Sequence, residues 1–209
     1  MFLRHRCFIL KDCFGIMSIL KNIEKKVLDM FEISYIELLI FITFVWVLSR
    51  TIIGITKHQL NWKYEVKLLT LYMCLVVIAR IVYFPMRLVD GHIASLVLDV
   101  EKIFPMWINL IPFVHLFDVY DGWLINIFGN IAMFIPVGLA LPFCFEKCDS
   151  TVKTLTLGMI FPLIIEITQL PFYDRCSDID DFILNMTGIL IGAFMYFSIQ
   201  RLKSRKKFF

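Results

Sequence analysis

The residues of this chain that could do chemistry are concentrated in one run near its C-terminal end. Arg175, Asp178, Asp181, Asn185 and Gly188 follow one another at intervals of three, three, four and three, at the start of an apolar stretch. On a helix with about 3.6 residues per turn, the series from Asp178 onward falls on one face. That face would carry two carboxylates and an amide. Such groups can anchor a polar ligand, act as a general base or bind a divalent ion.

The composition defines the elements that must position this cluster. The chain has 209 residues, of which 59% are hydrophobic and 21 are Phe, and its mean hydropathy is +0.78. A soluble domain needs far less apolar material for its core. Five stretches are long enough to cross a hydrocarbon layer that takes about 20 apolar residues. They lie at residues 33–48, 68–84, 125–145, 152–172 and 182–199.

The sequence therefore predicts an all-α fold, a polytopic membrane helical bundle with a four-helix core and one extra N-terminal transmembrane helix. Its predicted regions are an N-terminal tail with the extra segment (1–67), a transmembrane domain (68–200) and a basic cytoplasmic tail (201–209). In the alternative interpretation the first segment does not cross fully, which leaves four spans. An outer interfacial helix is expected between the second and third spans, because apolar residues share one face there at helical spacing. These residues are Ile93, Leu96, Val97, Val100, Ile103, Phe104 and Trp107.

The placement of basic residues predicts the orientation, since Lys and Arg beside spans remain on the cytoplasmic side. The tail from Arg201 to Lys207 carries five basic residues, which puts the C-terminus in the cytoplasm. The loop at 85–124 and the turn at 171–181 are then outside. With five spans the N-terminal region is also outside, which conflicts with the charge rule because this region is rich in basic residues. We expect it to lie on the membrane surface as an amphipathic tail.

Further polar residues are expected at the level of the opening cluster. An ionisable group in hydrocarbon costs about 2.5 to 3.5 kcal/mol at the centre of a helix and usually faces the interior of the bundle. Glu166 and Gln169 lie near the outer end of the fourth span, and Asn126 and Asn130 near the outer end of the third. The sequence therefore predicts one polar pocket that opens outward. Its predicted ligand-binding residues are Asn126, Asn130, Glu166, Gln169, Arg175, Asp178, Asp181 and Asn185.

Two structural alternatives compete with the pocket. Ser177 could cap the fifth span, with the aspartates that follow it in the first helical turn. The polar residues could also serve as hydrogen bonds between spans, with Gly188 and Gly192 allowing close helix contact. Pro136 and Pro162 fall inside the third and fourth spans, where each should kink its helix.

Four segments resemble the VanZ-like family of bacterial membrane proteins. They are residues 109–113 (NLIPF), 126–138 (NIFGNIAMFIPVG), Glu166 with Gln169, and 175–188 (RCSDIDDFILNMTG). The resemblance covers roughly residues 68–197. The family is named for a protein that lowers sensitivity to the glycopeptide antibiotic teicoplanin. The resemblance implies a bacterial plasma membrane protein, with glycopeptide resistance as one expected role.

Our leading hypothesis is that the outer pocket recognises an amphiphile of the cell envelope, such as a lipid-linked cell-wall precursor or a lipoglycopeptide. Membrane lipids are the other expected partners, and nucleic acid is not one. The alternative is an intramembrane enzyme in which Glu166 or Asp181 acts as general base. The sequence offers neither a convincing nucleophile beside a base nor a His cluster, so no cofactor and no metal are expected. A transporter is disfavoured because no polar path continues inward.

Overall fold

A computed structural model describes residues 32–57, 61–84, 88–89, 91–98, 108–113, 123–172 and 176–206. The predicted all-α bundle is confirmed, because helices make up most of this part of the chain. The helices are α1 (Tyr35–Lys57), α2 (Trp62–Tyr83), α3 (Trp123–Cys144), α4 (Thr151–Gly158), α5 (Ile160–Gln169) and α6 (Ile179–Lys206). By length and composition they provide five candidate spans, since α4 and α5 together form the span Thr151–Gln169.

The first span, α1, is long and apolar enough to cross, as the five-span prediction requires. Its candidate span is 22 residues long, the 18 most apolar consecutive residues in it have a mean hydropathy of 2.2, and none of these 18 is buried inside the protein. Its described contacts with α2 include an ion pair and a pair of hydroxyl groups. The guanidinium Nε of Arg50 donates to Oε2 of Glu65 at 2.8 Å, and the hydroxyls of Thr43 and Tyr72 lie 2.7 Å apart. This is the arrangement of a peripheral helix.

The centre of the bundle is the contact between α3 and α6, which is made by glycines. A Cβ atom on Gly188 or Gly192 would lie 2.2 Å from a backbone oxygen of α3, and one on Gly138 would lie 2.3 Å from a backbone oxygen of α6. No Cβ tolerates such distances, so the two backbones touch directly, as the glycine spacing predicts. Phe134 and Ile189 are fully buried beside this contact.

The fourth span is interrupted at Met159, between α4 and α5. Pro162 is buried three residues further on. Because proline has no N–H, it cannot donate to the carbonyl of Gly158, four residues earlier. The backbone at Met159 nevertheless keeps helical angles (φ −59°, ψ −21°), and its N–H donates to the carbonyl of Leu155 at 2.9 Å. The distortion predicted at Pro162 is thus a local interruption within one span. By contrast, α3 runs as one helix through Pro136.

The outer interfacial helix predicted over residues 93–107 is wrong in its described part. Strands β2 (Leu88–Val89) and β3 (His92–Ile93) form an antiparallel pair, and β4 (Leu96–Val97) pairs antiparallel with β1 (Glu32–Ile33). The hairpin turns at Gly91, whose φ is +78°, a left-handed conformation that glycine adopts readily. Pairing with β1, from a distant part of the sequence, satisfies the backbone of β4 and replaces helical bonds. Residues 99–107 lie outside the described ones.

A third strand pair brings the loop between α2 and α3 onto the start of α6. Strand β5 (Ile108–Asn109) runs parallel to β6 (Ser177–Asp178), with Ile108 opposite Ser177 and Asn109 opposite Asp178. Strand β6 leads directly into α6. The pair therefore lies at the end of the bundle where α3 begins, α5 ends and α6 begins, which we call the site end.

Candidate functional site

The polar residues of α3 and α6 meet at the site end. The side-chain amide Nδ2 of Asn130 donates to Oδ1 of Asp181 at 2.7 Å and to Oδ1 of Asn126 at 3.3 Å. Asn130 is buried, whereas Asn126 is exposed on the preceding turn. The bond from Asn130 thus holds the Asp181 carboxylate in place between the two helices.

Glu166 on α5 is 6% exposed and binds the chain that leads into α6. Its Oε2 accepts from the hydroxyl of Ser177 at 3.0 Å and from the backbone N–H of Asp178 at 2.9 Å. Two donors to one carboxylate oxygen stabilise a buried acid that would otherwise be expensive to bury. Within the described part of the chain, no hydrogen bond is made to the second oxygen, Oε1.

Asp178 caps α6, so the alternative in which Ser177 is the cap is wrong by one residue. Its Oδ1 accepts from the backbone N–H of Asp180 at 2.9 Å, and α6 begins at Ile179. The Ser177 hydroxyl is turned to Glu166, so the cap falls one residue later. The same Asp178 oxygen accepts from Nδ2 of Asn109 at 3.1 Å, which fastens strand β5 to the cap.

Residues 108–113 form a strap across the start of α6, and Asp180 is its second anchor. Oδ1 of Asp180 accepts from the backbone N–H of Phe113 at 2.7 Å, and Phe113 has a φ of 65°. That conformation is unusual for an aromatic residue. Oδ1 of Asn109 accepts from the N–H of Ile111 at 3.1 Å and completes the turn. Asn109 and Asp180 were not among the predicted site residues, although the NLIPF segment contains Asn109.

A cavity of about 780 Å³ lies between α2, α3, α5 and α6 at the site end. This volume is within the range of small-molecule sites. Its apolar lining includes Val77 and Ile81 from α2 and Ile125 from α3, and Ile125 is 78% exposed. Since these side chains lie on the lateral surface of the spans, the cavity reaches the surface that faces lipid. Its polar lining consists of Asn126, Asn130, Glu166, Gln169, Asp181 and Asn185.

Asn185 differs from the other polar lining residues. It is only 2% exposed, and its Oδ1 is buried with no hydrogen-bond partner among the residues that the structure describes. Buried acceptors in proteins are nearly always satisfied, so an unpaired one calls for an explanation. Asn185 lies on the cavity wall, where a bound molecule could supply the missing donor.

The structure thus brings together six of the eight predicted site residues around the cavity. Asp178, the seventh, lies beside the cavity and reaches it through its bond to Glu166. Arg175 lies outside the described residues. In the described ranges, no group of three or more His, Cys, Asp or Glu could hold a metal ion.

Charged groups at the opposite end of the bundle are arranged differently. Nζ of Lys153 donates to Oδ2 of Asp149 at 2.6 Å, and both side chains are well exposed. This hydrogen bond holds the pKa of the Asp149 carboxyl below its ordinary value. The pair is a surface interaction within one turn, in contrast to the buried polar groups of the site end.

The comparisons with known proteins bear on the bundle that surrounds the cavity. A family model described as VanZ/LLP1 matches residues 69–200. The matched residues include every described residue that lines the cavity and exclude α1. No curated protein and no solved structure matches the chain.

Proposed function

The chain is a multi-pass membrane protein that belongs to the VanZ/LLP1 family, and we propose that it binds an amphiphile of the bacterial cell envelope in the cavity. The observation that carries this proposal is the form of the cavity. One end is lined by buried polar groups such as Glu166 and Asn185, and the side toward lipid is lined by Val77 and Ile81. An amphiphile has the same division between head group and chain.

The polar end would determine which amphiphile binds. A hydrocarbon chain gains little by leaving lipid for an apolar groove, because lipid tails are as apolar as the groove. A head group, in contrast, is stabilised at this depth only where hydrogen-bonding partners are present. Selectivity therefore depends on the carboxylates of Glu166 and Asp181 and on the amides beside them.

We further propose that the cavity opens on the outer side of the plasma membrane and that the C-terminus is cytoplasmic. Arg201, Lys203 and Arg205 are exposed at the end of α6 opposite the site, and basic residues beside spans favour the cytoplasm. Lipid-linked cell-wall precursors and lipoglycopeptides are present on the outer side. A role in glycopeptide resistance of the teicoplanin type would follow if the bound amphiphile belongs to that chemistry.

The alternative function, an intramembrane enzyme, has one observation in its favour. The Ser177 hydroxyl donates to Glu166, which is the pairing of a nucleophile with its base. However, Ser177 is not among the described residues that line the cavity, and the Glu166 oxygen also accepts a backbone N–H. The pair is therefore better explained as the attachment of β6 to α5. Turnover of a labelled lipid-linked substrate by the purified protein would favour the enzyme.

The proposal is tested by filling the cavity. Gly129 lines it, and a Cβ atom there would meet nothing within 4 Å, so Gly129→Phe should place a ring in the cavity without a backbone clash. Leu124→Phe adds an aromatic ring to the exposed face of the same helix and serves as control. Native mass spectrometry of protein purified from membranes should show a lipid adduct that Gly129→Phe loses and Leu124→Phe keeps. An adduct that both variants retain would contradict binding in the cavity.

A further inference from the structure

The polar end of the cavity offers acceptors of hydrogen bonds and negative charge. Two of its lining side chains, Glu166 and Asp181, are carboxylates, and none of the described lining residues is Lys, Arg or His. Building on the proposed function, we propose that the head group bound in this cavity is an ammonium, so that the ligand is an amine-bearing amphiphile.

The unpaired oxygen of Asn185 is the observation that points to a ligand. Oδ1 is an acceptor only, it is buried, and no described residue donates to it. An ammonium group carries three N–H donors and no acceptor. One donor to Asn185 and two to the carboxylates of Glu166 and Asp181 would satisfy all three groups on the wall.

The existing bonds of the two carboxylates leave room for this ligand. Asn130 donates to Oδ1 of Asp181, and Ser177 with the backbone of Asp178 donates to Oε2 of Glu166. All these donors are uncharged. Neutral donors orient a carboxylate but do not neutralise its charge, and a buried charge is stabilised most by an opposite charge with direct hydrogen bonds.

Other head groups fit less well. A phosphate would place negative charge against two carboxylates, which repel it. A sugar could donate to Asn185 through its hydroxyls but brings no positive charge to the two carboxylates. The ammonium is the one of these three groups that supplies both donors and positive charge.

The inference can be tested by photolabelling the full chain in phosphatidylcholine nanodiscs. The probe is an octadecylamine with a diazirine in its chain, and its matched controls are the N-acetyl derivative and a glucoside with the same chain. We expect saturable labelling of the cavity wall, mapped by mass spectrometry to the segments around Val77 and Met133. Labelling by the amine should exceed that by either control about tenfold, the effect expected of one lost charged hydrogen bond.

Carboxamide variants provide the second arm. Glu166→Gln and Asp181→Asn retain an acceptor for the existing bonds but remove the charge, and each should lower labelling by the amine about tenfold. Asp180→Asn removes a charge in the same turn of α6, at a residue outside the described lining, and should leave labelling unchanged. The comparison of the three probes on the unaltered chain remains informative even if a variant folds poorly.

The possible results separate the two proposals. If the glucoside or the N-acetyl probe labels the cavity wall as strongly as the amine, the ammonium inference is wrong and the amphiphile site stands. If no probe labels the wall in a saturable manner, both proposals fail. If the amine is preferred but Asp180→Asn weakens it as much as Asp181→Asn does, the preference reflects the summed negative charge at the start of α6 and not contact with the cavity wall, and the ammonium site is again refuted.

Discussion

The two buried asparagines of the cavity provide a test of the site in which stability changes in opposite directions. Asn130 donates to Asp181, whereas Oδ1 of Asn185 has no partner in the described part of the chain. We therefore compare Asn130→Leu with Asn185→Leu. Leucine has the same branching at Cγ, so both variants remove an amide at nearly constant shape.

The expected magnitudes follow from these contacts. An unsatisfied buried acceptor costs about 1–3 kcal/mol, so its removal in Asn185→Leu should stabilise the fold. The larger leucine side chain offsets up to about 1 kcal/mol of this gain. We expect Asn185→Leu to raise the free energy of unfolding by about 1 kcal/mol. Asn130→Leu removes one of the two amides, Asn126 and Asn130, that hydrogen-bond the Asp181 carboxylate, and should lower the free energy of unfolding by about 2 kcal/mol.

Unfolding by sodium dodecyl sulfate in mixed micelles, followed by circular dichroism, measures both changes on the same scale. The reasoning is refuted if Asn185→Leu is destabilised by as much as Asn130→Leu, since Asn185 would then have a structural partner. If Asn185→Leu is the more stable protein and also loses the amphiphile, the unpaired amide is present for binding. A site that lowers stability for the sake of a ligand is a common trade-off in proteins.

Three further predictions concern the framework of the site. Gly192→Ala places a methyl group 2.2 Å from a backbone oxygen of α3 and should destabilise the bundle by about 1–2 kcal/mol. Gly129→Ala has open space around the new methyl group and should stabilise the bundle by about 0.5–1 kcal/mol; the same detergent unfolding measures both changes. Asp180→Ala removes an anchor of the strap and should speed hydrogen exchange of the strap amides about tenfold, whereas Asp180→Asn should not. Arg50→Met leaves Glu65 unpaired and should destabilise the docking of α1 by about 2 kcal/mol, and the double variant Arg50→Met with Glu65→Leu should recover part of this loss. Unchanged thermal stability of Arg50→Met would show that the ion pair contributes nothing to stability.

The features that depend on hydropathy and helical periodicity could be predicted from the sequence. The lengths of the apolar stretches predict the number of spans, and the alternating direction of the spans predicts that Asn130, Glu166 and Asp181 lie at the same level. The meeting of these residues in the structure follows from chain direction alone, because alternating spans bring the start of α3, the end of α5 and the start of α6 to one end.

The features that depend on pairing between distant segments could not be predicted. Strands of two residues have no periodicity, so the pattern around Leu96 fits a helix as well as a strand. The dipeptide Asp90–Gly91 is a hairpin signal that was available in the sequence. The contact of Asp180 with the backbone of Phe113 joins residues 67 positions apart and depends on the register of β5 with β6. No local pattern contains that information.

The position of α1 shows which part of the chain forms the site. The described lining of the cavity comes from α2, α3, α5 and α6, all within the residues that match the family, and α1 contributes none of it. Helix α1 is held to α2 by Arg50 and Glu65 at one end, and at the other by Arg80, whose guanidinium lies 5.7 Å from the ring of Tyr35. Since no described lining residue comes from α1 and its described contacts are with α2, we expect α1 to affect binding through the position of α2. In the proposed function the head group is therefore recognised by residues of the family domain, and we expect removal of the docking contacts of α1 to affect binding less than substitution of Glu166 or Asp181.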